Sequence, residues 1–375
     1  MQVRQLLFLQ DRWQEDLPAG LDSPETLVLV FADPQHRDHP ALSELATAFP
    51  QSVLAGCSSS GEILGDRIYD GSLCGAVIRF EHSHLKAAQC TLQSPEESYL
   101  SGKTLAQQLL GPGLRSVLVF SDGLQVNGTQ LVRGLSEGLP AEVTITGGLA
   151  GDGDRFQSTF VISPSGCASS MVCAVGLYGE RLQVGCGSAG GWDVFGPERQ
   201  VTRAQGSELF ELDGRPALDV YRNYLGEQAA QLPASGLLFP LSVRHQAADE
   251  ERFVRTILSI HEERRSLTFA GDIPEGSLAQ LMHATKDHLI DGASSAAGQS
   301  AQRCQAPQLL ISVSCVGRRL VMGQRTEEEI EASLEHFGPG CINVGFYSYG
   351  EIAPNVAGRC DLHNQTMTIT AISEN

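Results

Sequence analysis

Short apolar runs recur along the chain where buried strands are expected. Leu27-Val28-Leu29-Val30-Phe31, Val117-Leu118-Val119-Phe120 and Leu309-Leu310-Ile311-Ser312-Val313 each read as one. Each precedes a stretch with helical spacing. Residues 41–49 form such a stretch, closed by Pro50, and Asn127-Gly128 opens another that runs to Leu139. Residues 96–110 predict a further helix, stopped by Gly111-Pro112-Gly113. Residues 171–177 and 182–184 predict a hairpin around Tyr178-Gly179-Glu180. Residues 236–244, 252–260 and 267–270 predict strands, 277–297 a long helix, and 361–372 a closing strand.

A glycine loop follows three of these segments. Gly56-Cys57-Ser58-Ser59-Ser60-Gly61-Glu62-Ile63 and Gly345-Phe346-Tyr347-Ser348-Tyr349-Gly350-Glu351-Ile352 both fit G-x-x-S-x-G-E-I. A looser copy is Gly147-Gly148-Leu149-Ala150-Gly151-Asp152, with Ala for Ser and Asp for Glu. A unit of strand, helix, strand, glycine loop and strand therefore occurs three times. Its spacing is too long and irregular for a solenoid, so the pattern predicts duplication inside a globular α/β fold. Glycines at a strand end allow close backbone approach, and ligands of α/β folds bind at such ends. The plain alternative for any single copy is a tight turn capped by its own Glu.

Composition narrows the function. The chain has 375 residues, 42% hydrophobic, enough for a large core. Acidic residues outnumber basic ones by 44 to 26, a net charge of −18. That argues against nucleic acid and anionic membranes as partners. No apolar run approaches a membrane span and the N-terminus does not read as a signal peptide, so a cytoplasmic address is expected. Ten cysteines without a C-x-x-C pair read as reduced thiols. The expected layout is a leader over 1–25, a first domain over 26–218 and a second domain over 219–375, two lobes with mixed sheets and a pocket in or between them.

At this point the residues resemble the FIST family, with both its N-terminal and C-terminal regions. The resemblance is carried by the two G-x-x-S-x-G-E-I loops, by Gly190-Gly191-Trp192-Asp193 with Phe195-Gly196-Pro197-Glu198-Arg199, and by 211–218, 267–276 and 362–366. It implies a sensory module of signal transduction that binds a small ligand. One branch it resembles binds haem b, senses nitric oxide and regulates a histidine kinase or a cyclic-di-GMP enzyme. The partners so implied are a small-molecule or gas ligand and one of those enzymes. Self-association is left open.

Which residues would hold a ligand? The loops nominate Cys57, Ser58, Ser60, Glu62, Tyr347, Ser348, Tyr349 and Glu351, and the two loops are expected to line one pocket. A hydrolase elbow is excluded, because Gly56 and Gly61 are five apart where G-x-S-x-G needs four. No catalysis is expected. The alternative is an enzyme on an amino-acid-like substrate using Glu62 or Glu351 as acid or base. Asp152-Gly153-Asp154 lacks the further ligands of a calcium loop. For haem, His36, His39, His82 and His84 lie in polar surroundings. The axial candidates are therefore His288, then His245, then His283, with Arg244 as a propionate partner.

Overall fold

A computed structural model describes residues 1–249, 252–355 and 358–375. The chain is a mixed α/β protein with mixed sheets, and the repeated unit accounts for its body. In the first unit Thr26–Ala32, the helix Pro40–Ala48 and the parallel strand Val53–Ser58 form a β-α-β core. The second repeats this with Leu114–Ser121, the helix Gly128–Gly138 and Thr144–Leu149. The third uses Leu309–Cys315, the helices Val316–Met322 and Thr326–Leu334, and Ile342–Ser348. Their strands run apolar because helices or a second sheet cover both faces.

After its glycine loop each unit sends a short hairpin into a neighbour's sheet. The hairpin of Glu62–Leu64 and Arg67–Tyr69 adds to the third unit, beside Ile342–Ser348. That of Gly350–Pro354 and Cys360–His363 adds to the second, beside Thr144–Leu149. That of Val161–Ser163 and Gly166–Ala168 adds to the first, beside Val53–Ser58. The exchange closes a ring. Each chain segment then returns home: Leu73–Arg79, Met171–Tyr178 and Met367–Glu374 lie antiparallel to their own first strands. Outside them pair Gln2–Leu9, His84–Thr91 and Leu182–Ala189. Residues 1–25 thus supply two strands of the first sheet, Gln2–Leu9 and Arg12–Trp13.

The ring's middle is apolar. Phe31, Phe120 and Phe346, one from each unit, pack with centroids 4.6 to 6.4 Å apart. Three glycines show that the loops are equivalent. A Cβ on Gly56, Gly147 or Gly345 would lie 1.8, 1.9 or 1.8 Å from the carbonyl oxygen of Val30, Val119 or Ser312. Each of these partners sits directly across the parallel pair from its glycine. No side chain fits there, so the motif begins with Gly for a packing reason.

Residues 193–283 form a second lobe, inserted into the third unit between Leu182–Ala189 and the helix Lys286–Arg303. It is an antiparallel sheet with its own core, over which the helix Ala217–Leu225 packs. Two expected elements are corrected here. Met171–Tyr178 and Leu182–Ala189 do not pair as a hairpin; they belong to different sheets. The stretch 277–297 is not one helix: Leu278–His283 is a strand, and the helix begins at Lys286 after Thr285 caps it through the His288 amide. Among the described residues no helix is long and apolar enough to cross a membrane.

Candidate functional site

The glycine loops meet one another. Ser60 N–H donates to Tyr347 O at 2.8 Å and Tyr347 N–H to Gly61 O at 2.9 Å. Gly151 N–H reaches Ser58 O at 3.0 Å, and Tyr349 N–H reaches Leu149 O at 3.1 Å. The Tyr349 hydroxyl donates to Asp152 and to Gly153 O. All three loops therefore brace each other at the carboxyl ends of the parallel strands.

Their carboxylates are inward. Glu62 accepts from the Ser59 hydroxyl, and from the Ser72 amide at 3.2 Å and hydroxyl at 2.7 Å. Glu351 does the same with the Ser348 hydroxyl at 2.6 Å, and the Thr366 amide at 3.0 Å and hydroxyl at 2.8 Å. The two are 1% and 0% exposed. Burial pushes Glu62 up to about 8 and Glu351 up to about 7, against these donors, which pull down. Asp152, in the third loop, accepts from the amides of Phe156, Gln157 and Ser158 at 2.8 to 2.9 Å.

Of the nominated loop residues Ser60 lines one of the two clefts described next. Cys57 is in the central core, and burial holds its thiol well above the ordinary range. Ser58 accepts from the Phe160 amide, Ser348 bonds Glu351, and Tyr347 donates to Glu329 at 2.7 Å. Tyr349 is 2% exposed against Asp152. Glu62 and Glu351 are buried and line neither of the two clefts described next.

Two clefts stand out. The larger, about 1130 Å³, lies between the body and the second lobe. Its body wall comes from the Gly128–Gly138 helix and the Cys360–His363 strand, and its lobe wall from around His245 and Phe253. Arg133, Arg252 and Arg359 face it together with Glu137, Asp249 and Asp361. Val132, Leu139 and Ile145 supply apolar surface. The smaller, about 520 Å³, opens where Ser60 and Gly153 meet the Val316–Met322 helix.

A haem needs an axial nitrogen turned into a partly apolar slot. His288 is half exposed, with its Nδ1 hydrogen-bonded to Asp193 at 2.7 Å. His283 is exposed against the edge of Phe195. Arg244 is spent in a bidentate pair with Glu198, at 2.7 and 2.5 Å. Of the three histidines His245 lines the large cleft, beside Phe253 at 5.6 Å between ring centroids. Among the described residues no group of three or more His, Cys, Asp or Glu side chains is placed to hold a metal ion.

Sequence reasoning missed Arg318 and Glu329, both fully buried. Arg318 donates to Glu329 at 3.0 and 2.8 Å, to Gly190 O, and to Leu289 O at 2.7 Å. Gly190 opens the connection into the second lobe, and Leu289 lies in the first turn of the helix that follows the return connection, so one guanidinium holds the chain at both crossings. Nothing in the run Glu327-Glu328-Glu329 marks its last member as the interior one. Arg252 and the arginines of the large cleft were also missed, since they converge only through the inserted lobe.

The profile of the FIST N domain matches residues 26–215, and that of the FIST C domain matches residues 217–354. An uncharacterized protein of Methanocaldococcus jannaschii is 24% identical over 335 residues. The match covers 80% of this chain and 60% of that protein, so the chain spans about 60% of its relative's length.

Proposed function

Because the chain belongs to the FIST family, whose domains are associated with sensing small ligands in signal transduction, we propose that it is a ligand sensor working through the large cleft. The observation that carries this reading is the cleft's position. One wall is the body and the other is the inserted lobe, so a ligand bridging them changes how strongly the lobe is held. Facing arginines and carboxylates, with an apolar patch between them, suit a small zwitterion of the amino-acid class. The protein acts in the cytoplasm, without chemistry of its own, on a histidine kinase or a cyclic-di-GMP enzyme.

The free L-amino acids, screened by thermal shift and titration calorimetry, test it. At least one should stabilise the protein, and Arg252→Ala should weaken that ligand by about 10-fold or more, the worth of a charged hydrogen bond. No stabilisation by any of them, or affinity unchanged by Arg252→Ala and Arg133→Ala, rejects the cleft as the sensor site.

A second reading places haem b in the same cleft, for gas sensing. What favours it is His245 beside Phe253 with arginines on the wall. His245 would supply the axial nitrogen, and Arg252 and Arg359 would face the propionates; bound haem would supply the gas-binding iron. Protein mixed with haemin should then show a Soret band that His245→Ala loses and His288→Ala keeps. A spectrum indifferent to His245→Ala discards this reading and leaves the first.

A further inference from the structure

The smaller cleft has a cation that the folded chain does not use fully. Arg319 follows the buried Arg318 on the helix Val316–Met322 but turns outward. One nitrogen donates to Ser60 O, and another to Asp70 at 2.7 Å. Its guanidinium lies over the Tyr347 ring, 5.5 Å from the centroid. The first glycine loop is cut to admit it: a Cβ on Gly61 would sit 2.4 Å from Arg319 Nη1. So Arg319 is gripped by the backbone of one motif loop and the ring of the other.

Its carboxylate partner is held differently. The Asp70 side chain is 70% exposed, against 24% for Arg319. An exposed pair of this kind is worth at most about 1 kcal/mol, so a better-placed carboxylate can take over from Asp70. A guanidinium has five donors and binds carboxylates in a two-pronged fork. Leu320, 40% exposed, lines the same cleft with Ile68 and Val316. Exposed leucine beside a fixed cation fits a ligand with a charged head and an aliphatic body.

We propose that this cleft is a second binding site, for a small aliphatic carboxylate, with Arg319 taking the carboxylate in place of Asp70 and Leu320 covering the aliphatic part. The site is separate from the large cleft and stands whether or not that one is the sensor site.

Isovalerate is the probe, with isovaleramide as its uncharged counterpart, in calorimetry and thermal shift on the full chain. Isovalerate should bind and the amide should not. Asp70→Asn, which removes the competing carboxylate, should tighten isovalerate about two- to fivefold. Arg319→Gln should abolish the binding, and Leu320→Glu should weaken it by about tenfold or more. Because Arg319 also braces a loop, the Asp70 and Leu320 variants decide the matter should Arg319→Gln not fold. The proposal is overturned by equal effects of acid and amide, by no binding of isovalerate at high millimolar concentration, or by Asp70→Asn binding no tighter. Loss of isovalerate in Arg252→Ala, with Leu320→Glu unaffected, overturns it too, and moves the carboxylate to the large cleft.

Discussion

Arg318→Ala is expected to destabilise the protein by about 3–5 kcal/mol, and Glu329→Ala by a similar amount. Both side chains are fully buried, and the pair is 2.8 Å apart. Removing either leaves a charge in the interior with no counter-charge. Attraction is not what the pair contributes most, because burying two ions costs nearly what their pairing returns. The dense set of partners is what makes the site costly to break. Glu329 also takes the hydroxyls of Ser314 at 2.9 Å and Tyr347 at 2.7 Å, while Arg318 takes Gly190 O and Leu289 O. The double variant Arg318→Met with Glu329→Leu should therefore cost less than the two alanine effects added together. Urea denaturation midpoints measure all of this. Hydrogen exchange adds a local readout: in Arg318→Ala the amides near Gly190 and Leu289 should lose protection first. A midpoint within about 0.5 kcal/mol of wild type, the range of an ordinary surface change, would remove Arg318 from its role as the clasp.

Much of the body could be read from the chain, for a physical reason. Leu27–Phe31 and Leu309–Val313 are covered on both faces, which leaves an unbroken apolar run. Gly56 and Gly345 are fixed by a carbonyl oxygen where their Cβ would be. The hairpin exchange was not readable. Glu62–Leu64 is three residues long, too short to carry a face pattern, and nothing in it says which sheet it joins. The strand Leu278–His283 imitates a helix because Leu278, Leu281 and Met282 fall at helical spacing. The second lobe hides its insertion, since its closing strand runs within a few residues into the long helix. The site was the least readable part. A carboxylate after a glycine loop can bind a ligand or satisfy its own fold, and the residue types are the same in both cases. Their hydrogen-bond partners here, Ser72 and Thr366, stand ten and fifteen positions downstream of Glu62 and Glu351. Arg319, beside a loop 258 residues earlier in the chain, could be found only in three dimensions.

Replacing Glu62 and Glu351 by glutamine should flatten the dependence of stability on pH. Burial raises their folded values to about 8 and about 7, from an ordinary 4.5. The folded state then keeps protons that the unfolded chain has lost. By linkage, stability falls with rising pH over that interval: the contribution is whole below the ordinary glutamate value and is lost as pH climbs through 7 and 8. Each pH unit over which one folded carboxyl stays protonated while its unfolded counterpart is ionised costs about 1.4 kcal/mol. Glutamine removes the titration but keeps the geometry. Its carbonyl oxygen can take the Ser72 or Thr366 donors, and its amide can donate to the Ser59 or Ser348 hydroxyl. The double variant should thus match wild type within about 1 kcal/mol near pH 5 and clearly exceed it near pH 9. Alanine should behave otherwise. Glu351→Ala strands the buried Thr366 amide and two hydroxyls, at about 1–3 kcal/mol for each group left unpaired. Urea midpoints across this pH range, for wild type, the double glutamine variant and Glu351→Ala, separate the cases. Parallel pH curves for wild type and the glutamine variant would show that both carboxyls are already ionised in the fold, stabilised by their three donors each, and that burial does not govern them.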